Sequence, residues 1–159
     1  MDKHATKVLT SLQRLCSRQE CCSKDVYARA LAKLDGDSDA ASEVLESLVK
    51  EGYVDDFRYC VAFCSEKSSL TGWGPVKISF ALRGKGMDGD MISSALAEMD
   101  QESAENRLHK LLLAKSKTLE GDPQARLKLV RFALSRGYDY PQVAEAIEKI
   151  HNNSQYEDV

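Results

Sequence analysis

KISFALRGKGMDGDMISSAL (residues 77–96) and KLVRFALSRGYDYPQVAEAI (residues 128–147) overlay without a gap at an offset of 51 residues. Lys77 meets Lys128, Ile78 meets Leu129, Lys85 meets Arg136, Gly86 meets Gly137 and Asp88 meets Asp139. Further on, Ile92 meets Val143, Ala95 meets Ala146 and Leu96 meets Ile147, so the apolar face of the following helix is repeated as well. Self-similarity at this period marks an array of small units rather than one continuous core. The first third of the chain repeats more weakly, with Val44 and Leu48 matching Ile92 and Leu96 at an offset of 48.

Each unit reads as three short helices. The first carries apolar faces at Val8, Leu9, Leu12, Leu15 and Cys16, at Val26, Ala30, Leu31 and Leu34 after a Ser23 cap, and at Ala41, Val44, Leu45, Leu48 and Val49. The second uses Phe57, Cys60, Val61 and Cys64, then Ile78, Ala81 and Leu82, then Met91, Ile92, Ala95, Leu96 and Met99. The third uses Ala104, Leu108, Leu111 and Leu112, then Leu127, Val130 and Leu134, then Val143, Ala146, Ile147 and Ile150. All follow three-and-four spacing, and none alternates as a half-buried strand would. Pro75, Pro123 and Pro141 fall in expected first turns, where a missing amide hydrogen costs nothing. The expectation is an all-α chain of tandem three-helix repeats forming an elongated curved array. Its repeats span 5–54, 55–100 and 101–151, and 152–159 form a disordered tail. A unit of about 50 residues is marginal alone and must share its apolar edges with neighbours.

Between Gly52 and Gly86 the chain reads GYVDDFRYCVAFCSEKSSLTGWGPVKISFALRGKG. Gly52 suits the left-handed position that ends a helix, and Asp55 can accept from the amides that start the next. An ordered set runs through this stretch: Gly52-Tyr53, Asp55-Asp56, Phe57-Arg58, Gly72-Trp73-Gly74-Pro75, Lys77 and Lys85-Gly86. This set resembles the middle of the RecX family, and Gly137 repeats Gly86 as a structural position in the third unit. The resemblance implies tandem three-helix modules in a regulator that binds the RecA recombinase filament and modulates, by inhibition, its recombination and ATPase activities. It implies no catalytic residue, no cofactor and no metal, and a monomeric regulator in DNA repair and the SOS response is expected. DNA within or near the filament is a further candidate partner. The alternative is a sequence-nonspecific DNA-binding module that acts without RecA.

Composition is that of a folded protein, 43% hydrophobic and 30% charged. No apolar run reaches the roughly 20 residues that span a bilayer, and the N-terminus lacks a cleavable leader, so a cytoplasmic location is expected. The five cysteines show no zinc-ligand spacing. Cys60 and Cys64, four apart, read as small buried hydrophobes. His4, His109 and His151 stand apart from one another, no Walker loop occurs, and Asp55-Asp56 reads as a capping pair, so nothing points to an enzyme.

The net charge of −3 opposes indiscriminate coating of nucleic acid. Its distribution is uneven. Residues 1–66 hold 9 basic and 12 acidic side chains, 67–138 hold 12 and 8, and 139–159 hold 1 and 5. No acid occurs between Lys67 and Asp88. The partner-binding candidates are therefore Arg58, Lys67, Trp73, Lys77, Arg83, Lys85, Lys128, Arg131 and Arg136. Lys77 with Lys128, and Lys85 with Arg136, occupy equivalent places and would form a basic track. Trp73 reads two ways, as a core plug or as an aromatic anchor.

Overall fold

The computed structural model of the chain describes residues 1–157, with side chains to Asn152. Nine α-helices and no strand occur among the described residues: α1 Lys3–Arg18, α2 Ser23–Lys33, α3 Ser38–Lys50, α4 Asp56–Ser69, α5 Pro75–Gly84, α6 Gly89–Ala97, α7 Gln101–Lys117, α8 Ala125–Ser135 and α9 Tyr140–Glu157. None is long and apolar enough to cross a membrane. Helix α9 continues into the segment expected as a tail, and 158–159 lie outside the described residues.

The repeat is written in the backbone. Asp35, Gly86 and Gly137, spaced 51 apart, all take positive φ, at 56°, 84° and 95°. In each case the next amide returns to a carbonyl five residues back: Gly36 to Leu31 at 2.9 Å, Met87 to Leu82 at 3.1 Å and Tyr138 to Ala133 at 3.3 Å. That bond closes a helix whose last carbonyls would otherwise lack partners. Two residues after each turn residue an aspartate caps the next helix: Asp37 accepts from the Ala40 amide, Asp88 from Met91 and Asp139 from Gln142.

These anchors correct the register of the first unit. Its offset is 51, as elsewhere, so Ala41 matches Ile92 and Val143, all three buried. The offset of 48 differs by three residues, nearly one helical turn, and so it preserved the apolar pattern while missing the register.

Packing divides the chain into two compact units, with boundaries inside α4, α5 and α6. The first comprises Met1–Ala62 with Leu82–Ser93, and the second Phe63–Ala81 with the described residues from Ser94 on. In the first, Val8, Leu12, Val26, Ala30, Ala41, Val44, Leu48 and Val54 form the core of α1, α2 and α3. In the second, Leu108, Leu112, Leu129, Ala133, Tyr138, Val143 and Ile147 do the same for α7, α8 and α9. Each fully buried Leu, Val or Ile contributes about 1.5–3 kcal/mol.

Helix α8 buries Leu129 and Ala133, whereas Leu127 and Leu134, expected inside, are 44% and 42% exposed. Apolar residues at helical spacing occur on both its faces, so periodicity has two solutions there; the match of Leu129 to buried Ile78 selects the observed one. Val49 and Phe57 are likewise more exposed than their faces suggest. All five cysteines are buried as thiols, Cys60 and Cys64 completely. Burial, then the neighbouring Cys21, pushes the Cys16 thiol up to about 12.

Pro75 and Pro141 occupy first turns, but Pro123 sits in the turn before α8. There Asp122 accepts from the Gln124 amide and binds Lys128 instead of capping the helix. The expected Ser23 cap is also replaced. Cys22 holds the N-cap position without a side-chain bond, and the Ser23 amide donates to Asp56, 2.8 Å away.

A candidate partner-binding site

In the first unit the candidate residues other than Arg83 are engaged within the fold. Gly52, at φ 82°, ends α3, and the Tyr53 amide returns to the Leu48 carbonyl. Asp55 caps α4 through the Arg58 amide at 3.0 Å, while Asp56 caps α2. The Arg58 side chain pairs with Glu20 at 2.8 Å and donates to the Gly52 and Tyr53 carbonyls. This one cation therefore ties the end of α3 to the segment before α2. Lys85 Nζ lies 2.8 Å from Asp25 Oδ2. The hydrogen bond to Lys85 holds the Asp25 carboxyl below its usual range, and its counterpart raises Lys85. Lys24 donates to the Gly84 carbonyl beside Gly86. Arg83 is exposed, with no ion pair among the described residues.

The second unit arranges its cations differently. Gly72, at φ 70°, reverses the chain after α4, and the Trp73 amide returns to the Lys67 carbonyl at 2.9 Å. The Gly74 amide then donates to the Arg136 carbonyl at 2.7 Å and the Val76 amide to the Gly137 carbonyl at 2.8 Å. The first amides of α5 thus satisfy carbonyls at the end of α8, a head-to-tail contact that the helix dipoles favour. Both glycines are required for so close an approach. A Cβ on Gly74 would stand 2.6 Å from Gly137 backbone atoms, and one on Gly137 would overlap the Lys77 side chain. This is the physical meaning of the Gly-Trp-Gly-Pro sequence: Gly72 turns the chain, Gly74 admits the other backbone, and Pro75 starts the helix without an amide to satisfy.

The clasp sets Lys77 and Trp73 side by side. Lys77 Nζ lies 4.7 Å and Lys67 Nζ 4.9 Å from the Trp73 ring, and Phe63 meets the indole edge-on at 6.4 Å. Trp73 is half-buried, so it is not a sealed core plug, and two ammonium groups rest on its ring. Phe132 repeats the arrangement, with Lys115 Nζ at 5.1 Å and Arg136 Cζ at 5.2 Å. Such contacts contribute about 0.5–1 kcal/mol each where exposed. A ring positions an ammonium without neutralising it, whereas a carboxylate cancels its charge. Lys128 is paired in the second way, with Asp122, while Arg131 is exposed with no ion pair among the described residues.

Sequence reasoning missed Phe63, Phe132 and Lys115, and it missed the exposure of Val76 and Phe80 on α5. The overlay contained a signal for Phe80, because its counterpart is the charged Arg131. The space beside Trp73 and Pro75, reaching Ser68 and Tyr138, is about 120 Å³, well below the roughly 300 Å³ of an ordinary small-molecule pocket. No three or more His, Cys, Asp or Glu side chains are gathered to hold a metal among the described residues.

Residues 55–96 match the family model described as the second three-helix domain of RecX. A protein of Chromohalobacter salexigens named Regulatory protein RecX is 32% identical over 143 residues, covering 89% of this chain and 91% of its own length. The protein of that name in Xanthomonas campestris pv. campestris is 29% identical, over 86% of this chain and 83% of its own. The crystal structure of RecX from Lactobacillus salivarius superposes with a TM-score of 0.84, at 18% identity, over 95% of this chain and 99% of that one. That last similarity is one of fold.

Proposed function

The chain belongs to the RecX family of regulatory proteins, and on that premise we propose that it binds the RecA filament and inhibits its recombination and ATPase activities without chemistry of its own. The observation that carries this reading is the pair of ammonium groups on Trp73, inside the segment that matches the family model. Their charge is fixed in place yet uncancelled, which suits an acidic protein surface or the phosphates it surrounds. Of the basic track, Lys85 and Lys128 hold carboxylate partners. The proposed contact surface therefore narrows to Lys67, Trp73, Lys77, Arg131 and Arg136 in the second unit, and exposed Arg83, in the first, is a separate candidate.

The test is strand exchange and DNA-dependent ATP hydrolysis by RecA with increasing amounts of this protein. Inhibition of both at near-stoichiometric amounts is expected. Binding to bare single-stranded DNA is measured alongside over a salt series. If all binding persists without RecA and falls steeply with salt, the protein is the nonspecific DNA-binding module instead.

A further inference from the structure

Helices α5 and α8 contain no acidic residue at all, and each turns apolar side chains outward. On α5, Val76 and Phe80 stand one turn apart and are 54% and 81% exposed. On α8, Leu127, Arg131 and Leu134 share one exposed face at the same three-and-four spacing. The two sets are equivalent in the repeat: Val76 corresponds to Leu127 and Phe80 to Arg131. They belong to one compact unit, where the start of α5 is hydrogen-bonded to the end of α8. Neither set is needed for the core, which Ile78, Leu129 and Ala133 supply from the opposite faces.

We propose that this ridge is a protein-docking surface, with Phe80 and Val76 as its apolar anchor and Arg131 and Lys77 as its charged rim. The occupant is a protein surface bearing an apolar groove edged by carboxylates. Two arguments select it. Phe80 alone offers a plane on which a base could stack, whereas Val76, Leu127 and Leu134 are aliphatic, so bare nucleic acid has no use for most of the ridge's apolar surface. A second copy meeting the same face would bring lysine and arginine against lysine and arginine, with no acid on either helix to relieve them. The inference deepens the RecA reading and rests on it: the groove would lie on the recombinase subunits, not on the DNA they hold. Burial of a central aromatic anchor within a polar rim is the usual composition of a binding hot spot.

The experiment measures the affinity of the full chain for RecA filaments assembled on single-stranded DNA, and for the same DNA alone. The variants are Val76→Ser/Phe80→Ser, Phe80→Leu as the conservative replacement, and Val49→Ser as an exposed apolar control on α3; melting and sedimentation are followed for each. The double variant should melt normally, lose about tenfold or more in filament affinity and keep its DNA affinity. Phe80→Leu should recover most of the loss, and the control should match wild type. Unchanged filament binding by a folded double variant overturns the ridge and leaves the RecA reading standing. If the wild type shows no filament binding beyond that of bare DNA, the RecA reading falls and this inference with it. A wild-type dimer that the double substitution dissociates would make the ridge a self-association surface and overturn the proposal.

Discussion

The first unit places Arg58 against Glu20 and Lys85 against Asp25, each at 2.8 Å. The second places Lys67 and Lys77 on Trp73, and Lys115 and Arg136 on Phe132. Lys128, paired with Asp122, is the exception there. Both arrangements restrain long side chains, but with opposite electrostatic results. Pairing with carboxylates cancels the charge of Arg58 and Lys85, so these two cations act as fasteners between helices and turns. Pairing with rings leaves the field in place and orients it. The difference teaches that basic residues at equivalent repeat positions need not share a role, since Lys85 and Arg136 align in sequence and end in different environments.

The largest expected effect comes from the two helix-ending glycines that the units use differently. Gly137→Ala meets both positive φ and a clash with Lys77, and should cost about 3 kcal/mol or more, the range of severe packing and backbone defects. Gly52→Ala in the first unit meets positive φ but nothing within 4 Å, and should cost about 1–2 kcal/mol. Urea unfolding of both variants reads the contrast, and equal losses would mean that the backbone clasp contributes little.

A smaller effect on stability, with a larger one on binding, is expected at the ring-held cations. Lys67→Gln/Lys77→Gln should shift stability by under about 1 kcal/mol and weaken filament binding about tenfold, chiefly through slower association. Lys85→Gln is the counterpart in the first unit, expected to leave filament affinity unchanged. Equal loss of affinity in both variants would erase the distinction between fastened and oriented cations.

The smallest effect is the pH dependence of the Asp25–Lys85 pair. The carboxyl titrates below its ordinary 3.8 in the folded chain, so its contribution is full above that value and lost as pH falls through the folded one. Lys85 titrates above its ordinary 10.5, so its contribution is full below that value and lost as pH rises through the folded one. Both side chains are more than a third exposed, which limits the pair to about 1 kcal/mol or less. Asp25→Asn should therefore flatten the acid limb of the stability profile only slightly below about pH 4, as measured by chemical denaturation at several pH values.

The sequence by itself determined the helices, the tandem triplets and the turn residues. These depend on local chemistry: three-and-four spacing, aspartate caps, a residue able to adopt positive φ, and a proline at a first turn. It also sufficed for the RecX resemblance, carried by an ordered motif. The register of the first repeat slipped because a shift of three residues keeps an apolar stripe nearly in place, and only the backbone turn at Asp35 fixed it. The buried face of α8 could not be read from its own periodicity, because both faces are apolar. Which cations meet carboxylates and which meet rings was decided by tertiary structure alone. Asp25 and Lys85 are 60 residues apart, and Lys77 reaches Trp73 beside a clasp to a turn formed far along the chain. Local preference reaches a few residues along the chain; the environment of a long charged side chain is set by whatever distant segment the fold brings beside it.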